Sequence, residues 1–357
     1  MMGTNLAVAS APGKINVYLA VGAPQADGYH PLTSIFQAIS LREWVEVRCA
    51  PVEDGAGRQT IRTFGYRPPV GAGRPVFDPA LTRELAALDG DGHLALRAAR
   101  AVLERVGKPE GLGARSPFEV VVHKTVPVAG GMAGGSADAA AALVATNEML
   151  GSPLSFPELE ELGATLGADV PACLVGGLAL GLGRGDLMTP LLEGTWEADP
   201  DSWWWVACLS EVGLSTPSVF KEFDSISARE KETPAGEPAS DQTVPGQSMN
   251  PEVLEAIRSG AARGLHALRN DLSAPAFALR PELEQVKAKM LEAGCLEVLL
   301  SGSGPTLVGA VRGKRDAKRV AEIMAREGLV RGAYPIWGAS VGARVERRLP
   351  QWFEETG

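Results

Sequence analysis

The sequence predicts an α+β protein of two ordinary domains or one large one, and three observations point that way. Strand-like and helix-like stretches interleave without a regular strand–helix–strand period. A dense Gly/Ala run at 129–135 leads straight into an Ala-rich helix. At 357 residues and 45% apolar, the chain can bury the cores of two ordinary domains or of one large one.

The elements follow in order. Residues 14–21 and 44–49 are apolar and β-branched, as half-buried strands are, with an Asp27-Gly28 turn between them. Residues 51–80, rich in Gly, Pro and Arg, read as a long loop or insertion. Residues 93–106 have helical spacing closed by Gly107, and 118–122 form a strand. Ser136 reads as the N-cap of the clearest helix, which runs to Leu150 with Gly151 and Pro153 as its stop. Ser155 and Glu158 make a capping box for a helix ending at Gly167. Strands are expected at 172–182 and 203–209; in the latter, Trp203-Trp204-Trp205 reads as packing with one exposed ring.

Residues 224–249 hold almost no large apolar group after Ile226. Such a stretch cannot recover its ordering entropy, so it reads as a mobile loop. Helices return at 251–262 and 281–293. Two strands flank the Gly/Ser turn of 301–304, then come a helix at 315–327 and a last strand at 337–345.

Composition narrows the function classes. A net charge of -9 disfavours nucleic-acid and anionic-membrane partners and leaves a small-molecule ligand. Cys49, Cys173, Cys208 and Cys295 have no CxxC spacing and sit among apolar residues, so they read as reduced thiols. The histidines have no metal-site spacing. With no signal-peptide pattern or membrane-length apolar stretch, the expected location is the cytoplasm.

The strongest chemical signal is the stretch Pro127, Val128, Ala129, Gly130, Gly131, Met132, Ala133, Gly134, Gly135, Ser136, Ala137. Small side chains let backbone N–H groups approach a ligand closely, and the following helix adds unpaired N–H groups and the positive end of its dipole. Together they suit a phosphate. A Walker A loop fails for want of a lysine, because Ser136 and Ala137 follow Gly135. A dinucleotide fingerprint starting at Gly131 fails at Ala133 and Ser136.

This loop, with Ala9-Ser10-Ala11-Pro12-Gly13-Lys14-Ile15-Asn16 before it and Leu300-Ser301-Gly302-Ser303-Gly304-Pro305 after it, resembles the three motifs of the GHMP kinase superfamily. Ala26-Asp27-Gly28-Tyr29-His30-Pro31-Leu32 and Leu166-Gly167-Ala168-Asp169-Val170-Pro171 are similar to its branch whose acceptor carries cytidine. The resemblance implies a ribosomal-protein-S5-domain-2-like N-terminal domain that binds ATP, at 1–182, and an α+β C-terminal domain at 183–336. A final strand near 337–347 would return to the first domain, leaving the active site between the two.

It further implies phosphorylation of the 2-hydroxyl of a diphosphocytidyl methylerythritol, with ATP and Mg2+, in non-mevalonate isoprenoid precursor synthesis. Asp169 becomes the expected general base. Lys14 would pair with it and stabilise charge on the transferring phosphoryl group. Asn16 would meet the acceptor hydroxyl region, Tyr29 would stack on cytosine, and His30 would make a polar contact to it. Ser136 would bind phosphate or a metal-bridging oxygen, while the Mg2+ ligands stay unassigned.

Ala129, Ala133 and Ala137 depart from glycine or serine positions of the family pattern. Asp138 adds negative charge in the helix's first turn, and His93 replaces an adenine-side Asn. A sibling kinase for homoserine, mevalonate or a sugar, and a non-catalytic ligand sensor, remain the alternatives.

Overall fold

The structure is a computed structural model. It describes residues 5–49, 59–68, 74–107, 117–128, 130–185, 187–191, 203–232, 243–260, 264–339, 341–351 and 353.

Strands β1 (Leu6–Val21) and β2 (Leu32–Cys49) pair antiparallel over nearly their whole length. Both are longer than their apolar cores suggest. β3 (Gln59–Arg67), β4 (Val76–Phe77) and helix α1 (Pro79–Ala86) follow, then α2 (Leu94–Val106) and β5 (Phe118–Lys124). The reading of 51–80 as one loop is therefore corrected. β3 lies parallel to β5, from Gln59 opposite Phe118 to Gly65 opposite Lys124, and its alternation of exposed Thr60 and Arg62 with buried Ile61 and Thr63 takes its meaning from that distant partner.

Helix α3 (Gly134–Met149) begins two residues before Ser136. The N-cap is Ala133, in the left-handed region at φ 56°, and Ser136 lies inside the first turn, so the N-cap reading of Ser136 is corrected. α4 (Phe156–Leu166) starts as expected, with the Glu158 carboxylate accepting from the Ser155 amide at 2.8 Å. Residues 172–182 divide into α5 (Val170–Val175) and β6 (Leu178–Leu182). Pro171 falls in the first helical turn, where its missing N–H costs nothing, so Val170 is helical rather than extended.

The chain continues through β7 (Leu187–Pro190), β8 (Trp204–Leu209), α6 (Thr216–Glu232) and α7 (Pro251–Arg258). Next come β9 (Arg269–Asn270), α8 (Ser273–Leu279), α9 (Glu282–Glu292), β10 (Glu297–Leu300) and β11 (Leu307–Val311). α10 (Lys314–Arg326), β12 (Gly332–Trp337) and β13 (Arg344–Glu346) end it. The expected last strand at 337–345 is thus the end of one strand and the start of another.

The 224–249 reading is also corrected where the residues are described. Its first part completes α6. Residues 243–249 dock on β2: the Gly246 amide donates to the buried Thr33 hydroxyl at 2.9 Å, which donates to the Ser248 carbonyl at 3.2 Å. The middle of that segment lies outside the described residues. All three tryptophans of the 203–205 run are buried, with Trp203 and Trp205 stacked at 5.3 Å; no ring is exposed.

Nine strands form one sheet around the order β13-β1-β2-β5-β3-β4, and four form a second, β10-β11-β8-β12. Ala7, Ala9 and Ala11 pack with α2 and α3, whereas Ile15 and Val17 pack with Trp205 and Ile336 of the second sheet. A register shift between Pro12 and Lys14 exchanges the faces of β1. That shift turns Lys14 and Asn16 towards the helical layer. β13 pairs with β1, and Arg42 donates to the Val341 and Gly342 carbonyls at 2.8 and 2.6 Å, tying the returning chain to the first sheet.

Candidate active site

Three backbone segments meet at the N-terminus of α3. The Lys14 amide donates to the Met132 carbonyl at 3.0 Å, and the Ser301 hydroxyl donates to the Gly131 carbonyl at 3.0 Å. A Cβ on Gly131, which has φ +64°, would sit 2.3 Å from the Ser301 carbonyl oxygen, so only glycine fits there. Asn270 holds the 301–304 turn in place by donating to the Leu300 and Gly302 carbonyls at 2.7 and 2.8 Å.

The loop opens onto a cavity of about 320 Å³ lined by Pro127, Val128, Gly130, Gly131, Ala133, Gly134 and Gly135, with His93 and Asp138 opposite. His93 caps α2 by accepting from the Ala95 amide at 3.2 Å, and burial, the largest influence on it, lowers its pKa and favours that neutral acceptor. Met132 and Ala137 are buried in the cores instead, so their side chains face away from this cavity. Ala129 lies outside the described residues.

Beneath the loop lies a buried triad that the sequence reading missed. Lys124 Nζ donates to Glu43 Oε1 at 2.8 Å and to Asp138 Oδ2 at 2.7 Å. Two buried carboxylates face one ammonium, which favours retention of a proton. Burial pushes the Glu43 carboxyl up to about 8 against the pull of Lys124. Asp138 Oδ1 is buried without a hydrogen-bond partner. Lys124 stands just upstream of the Gly-rich stretch, separated from Pro127 by Thr125 and Val126, which is the one signal in the sequence that could have drawn attention to it.

The neighbouring cavity, about 460 Å³, brings the sequence-predicted pair together. Lys14 Nζ lies 3.3 Å from Asp169 Oδ2; Lys14 is nearly enclosed, while Asp169 is 38% exposed and open to a ligand. Asp169 is the N-cap of α5, with backbone angles in the right-handed helical region. Lys14 also donates to Asn16 Oδ1 at 2.9 Å, Asn16 donates to Ser34 at 2.7 Å, and the Lys14 ammonium lies 5.2 Å above the Phe36 ring. Ser136 lines this cavity rather than the loop cavity.

A third cavity of about 760 Å³ carries Tyr29 and His30, and it shares Leu32, Ala168, Arg184, Thr216 and Phe220 with the reaction cavity. Tyr29 is 55% exposed. His30 is buried beside Phe220 at 5.1 Å; its Nδ1 pairs with the Gly22 carbonyl at 2.8 Å and its Nε2 lies 3.5 Å from Asp224. Arg184 and Phe220 are additions that the sequence reading did not make.

A loop at a helix N-terminus, a Lys–Asp pair beside it and an open pocket beyond define a small-molecule kinase of the GHMP type. Family models agree: "GHMP kinases N terminal domain" matches residues 93–177 and "GHMP kinases C terminal" matches 253–330. The chain is 41% identical over 303 residues to a 4-diphosphocytidyl-2-C-methyl-D-erythritol kinase of Nocardioides sp., covering 84% of this chain and 86% of that protein. A protein of the same name from Streptomyces coelicolor is 39% identical over 337 residues, 94% of this chain and 97% of the relative. A crystal structure of 4-(cytidine 5'-diphospho)-2C-methyl-D-erythritol kinase superposes with a TM-score of 0.63 at 27% identity, covering 93% of this chain and 100% of that one. L. major mevalonate kinase shares the fold at a TM-score of 0.61 and 15% identity. The chain belongs to the 4-diphosphocytidyl-2-C-methyl-D-erythritol kinase family of ATP-dependent GHMP kinases. Among the described residues no helix is long and apolar enough to cross a membrane.

Proposed function

We propose that the chain transfers the γ-phosphoryl group of ATP to the 2-hydroxyl of 4-diphosphocytidyl-2-C-methyl-D-erythritol in the cytoplasm, giving the 2-phosphate and ADP. This step belongs to non-mevalonate isoprenoid precursor synthesis. The observation that carries the reading is the Lys14–Asp169 pair at 3.3 Å, set between the Gly-rich loop and the pocket of Tyr29 and His30.

The acceptor oxygen attacks the γ-phosphorus, the bond to the β,γ-bridging oxygen breaks, and the hydroxyl proton passes to Asp169. Lys14 stabilises negative charge on the transferring group, and the first turn of α3 adds its N–H groups. Asn16, held by Lys14 and Ser34, orients the acceptor hydroxyl region. Tyr29 offers a face for cytosine, and His30, fixed by Gly22, lines the polar side of that pocket.

Ser136 provides an oxygen donor, and the described lining of the reaction cavity holds no thiol or imidazole, a donor set that fits Mg2+. With ATP's own phosphates as its other ligands, Mg2+ there would neutralise phosphate charge. We place the division between the two domains near residues 182–183, with the final strand assigned to the first.

A coupled assay of ADP release across acceptors tests the reading. The cytidine-bearing acceptor should far outpace homoserine, mevalonate and free methylerythritol 4-phosphate. Preference for any of those rejects the named acceptor and leaves the kinase class standing.

A further inference from the structure

The acceptor in this reading carries two phosphates between its base and its reacting carbon, so they must lie between the Tyr29 pocket and the Lys14–Asp169 pair. Among the described residues lining the two cavities, Arg184 is the one cationic side chain common to both. We propose that Arg184 binds the diphosphate of the acceptor. The inference rests on the proposed acceptor and deepens it.

Arg184 is built into position. It sits at the turn of the β6–β7 hairpin, beside Gly183 at φ +71° and Gly185 at φ +86°. The Gly183 carbonyl accepts from the Leu32 amide at 2.7 Å, and the Gly183 amide donates to the Gly246 carbonyl at 3.2 Å, so the turn is fastened on two sides. The guanidinium lies 3.9 Å over the Tyr29 ring and donates to Asp27 Oδ2 at 2.8 Å. The other oxygen of Asp27 accepts from the Tyr29 amide at 3.0 Å. One carboxylate therefore sets both the aromatic platform and the cation beside it.

A guanidinium has five N–H donors in a rigid fork and can hold Asp27 while it engages a phosphate. Its side chain is 53% exposed and lines both cavities. Lys14 lines only the reaction cavity and Lys221 only the base-side cavity, so neither spans the path a diphosphate must take.

The test is calorimetric titration of CDP and of cytidine into the full-length protein, with a non-hydrolysable ATP analogue saturating the nucleotide site. Wild type should bind CDP about 10–100-fold tighter than cytidine, the range of a charge-assisted contact. Arg184→Met should lose most of that ratio while cytidine affinity stays within about threefold, and Arg184→Lys should fall between. Equal weakening of both ligands would mean that Arg184 only supports the Tyr29 ring. An unchanged ratio in Arg184→Met would place the diphosphate elsewhere; either result overturns the inference. If wild type turns over the cytidine-bearing acceptor and the ratio is unmoved, this inference alone fails. A wild type that binds neither ligand and prefers another acceptor removes the function reading and this one together.

Discussion

Asp169 stands at the end of a helix layer with its charge facing Lys14 across 3.3 Å, and it remains accessible where Lys14 does not. A group that takes a proton from the acceptor should matter to the chemical step and little to ATP. Asp169→Asn should lower kcat by about 10²–10⁴-fold, with ATP affinity by equilibrium titration nearly unchanged. A variant with near-normal kcat would remove Asp169 from the reaction.

Glu43 allows a second prediction at the same scale. Burial raises its carboxyl from 4.5 to about 8, so the folded protein holds a proton that the unfolded chain releases at lower pH. The associated stability is complete below the unfolded value and is lost as pH rises through the folded one. Thermal midpoints of wild type should therefore fall between about pH 5 and pH 8 more steeply than those of Glu43→Gln. Equal slopes would show that Glu43 does not carry the proton. The same buried triad shows why side chains are harder to read than loops. Nothing near Lys124 or Glu43 in the chain marks them as partners, since they are 81 residues apart.

At the scale of elements, legibility followed how local each determinant is. The Gly-rich turn, the Ser155–Glu158 start and the Gly/Ser turn between β10 and β11 are written in adjacent residues. Short-range chemistry decides them. β3 was missed because its partner β5 lies far along the chain, and α5 because its apolar run reads equally as strand, while Pro171 fits a first helical turn. The N-cap of α3 was misplaced because Ser136 is a favoured capping residue. The turn instead closes through Ala133, whose left-handed backbone no composition argument singles out.

Residues 243–249 owe their place to Thr33, a buried hydroxyl that both accepts from Gly246 and donates to Ser248. Thr33→Val should cost about 0.5–1.5 kcal/mol in unfolding free energy, because the Gly246 amide loses its acceptor and the Ser248 carbonyl its donor. A denaturant midpoint equal to wild type would mean that the segment is not held through this contact.

For the whole molecule, the site exists because β1 crosses between two packing environments. Its alanines serve the helical layer before the register shift, and its larger apolar residues serve the second sheet after it. Lys14 and Asn16 emerge at that crossing, between the Gly-rich loop and the pocket of Tyr29 and His30. The order of motifs along the chain was readable, but their convergence depends on the Met132 carbonyl accepting from Lys14 and the Ser301 hydroxyl donating to Gly131, which only the folded chain displays.

On the proposed function, this arrangement delivers a phosphoryl group to one particular hydroxyl. The acceptor's C2 bears a methyl group and no hydrogen, so a phosphate on its oxygen has no three-bond proton neighbour. Phosphorus NMR of the product formed from ATP and 4-diphosphocytidyl-2-C-methyl-D-erythritol reads this directly. Transfer to the 2-hydroxyl should give one new phosphomonoester resonance that stays a singlet without proton decoupling, with the diphosphate signals retained. A new resonance split by sugar protons, or ADP release with no new phosphomonoester, would contradict it.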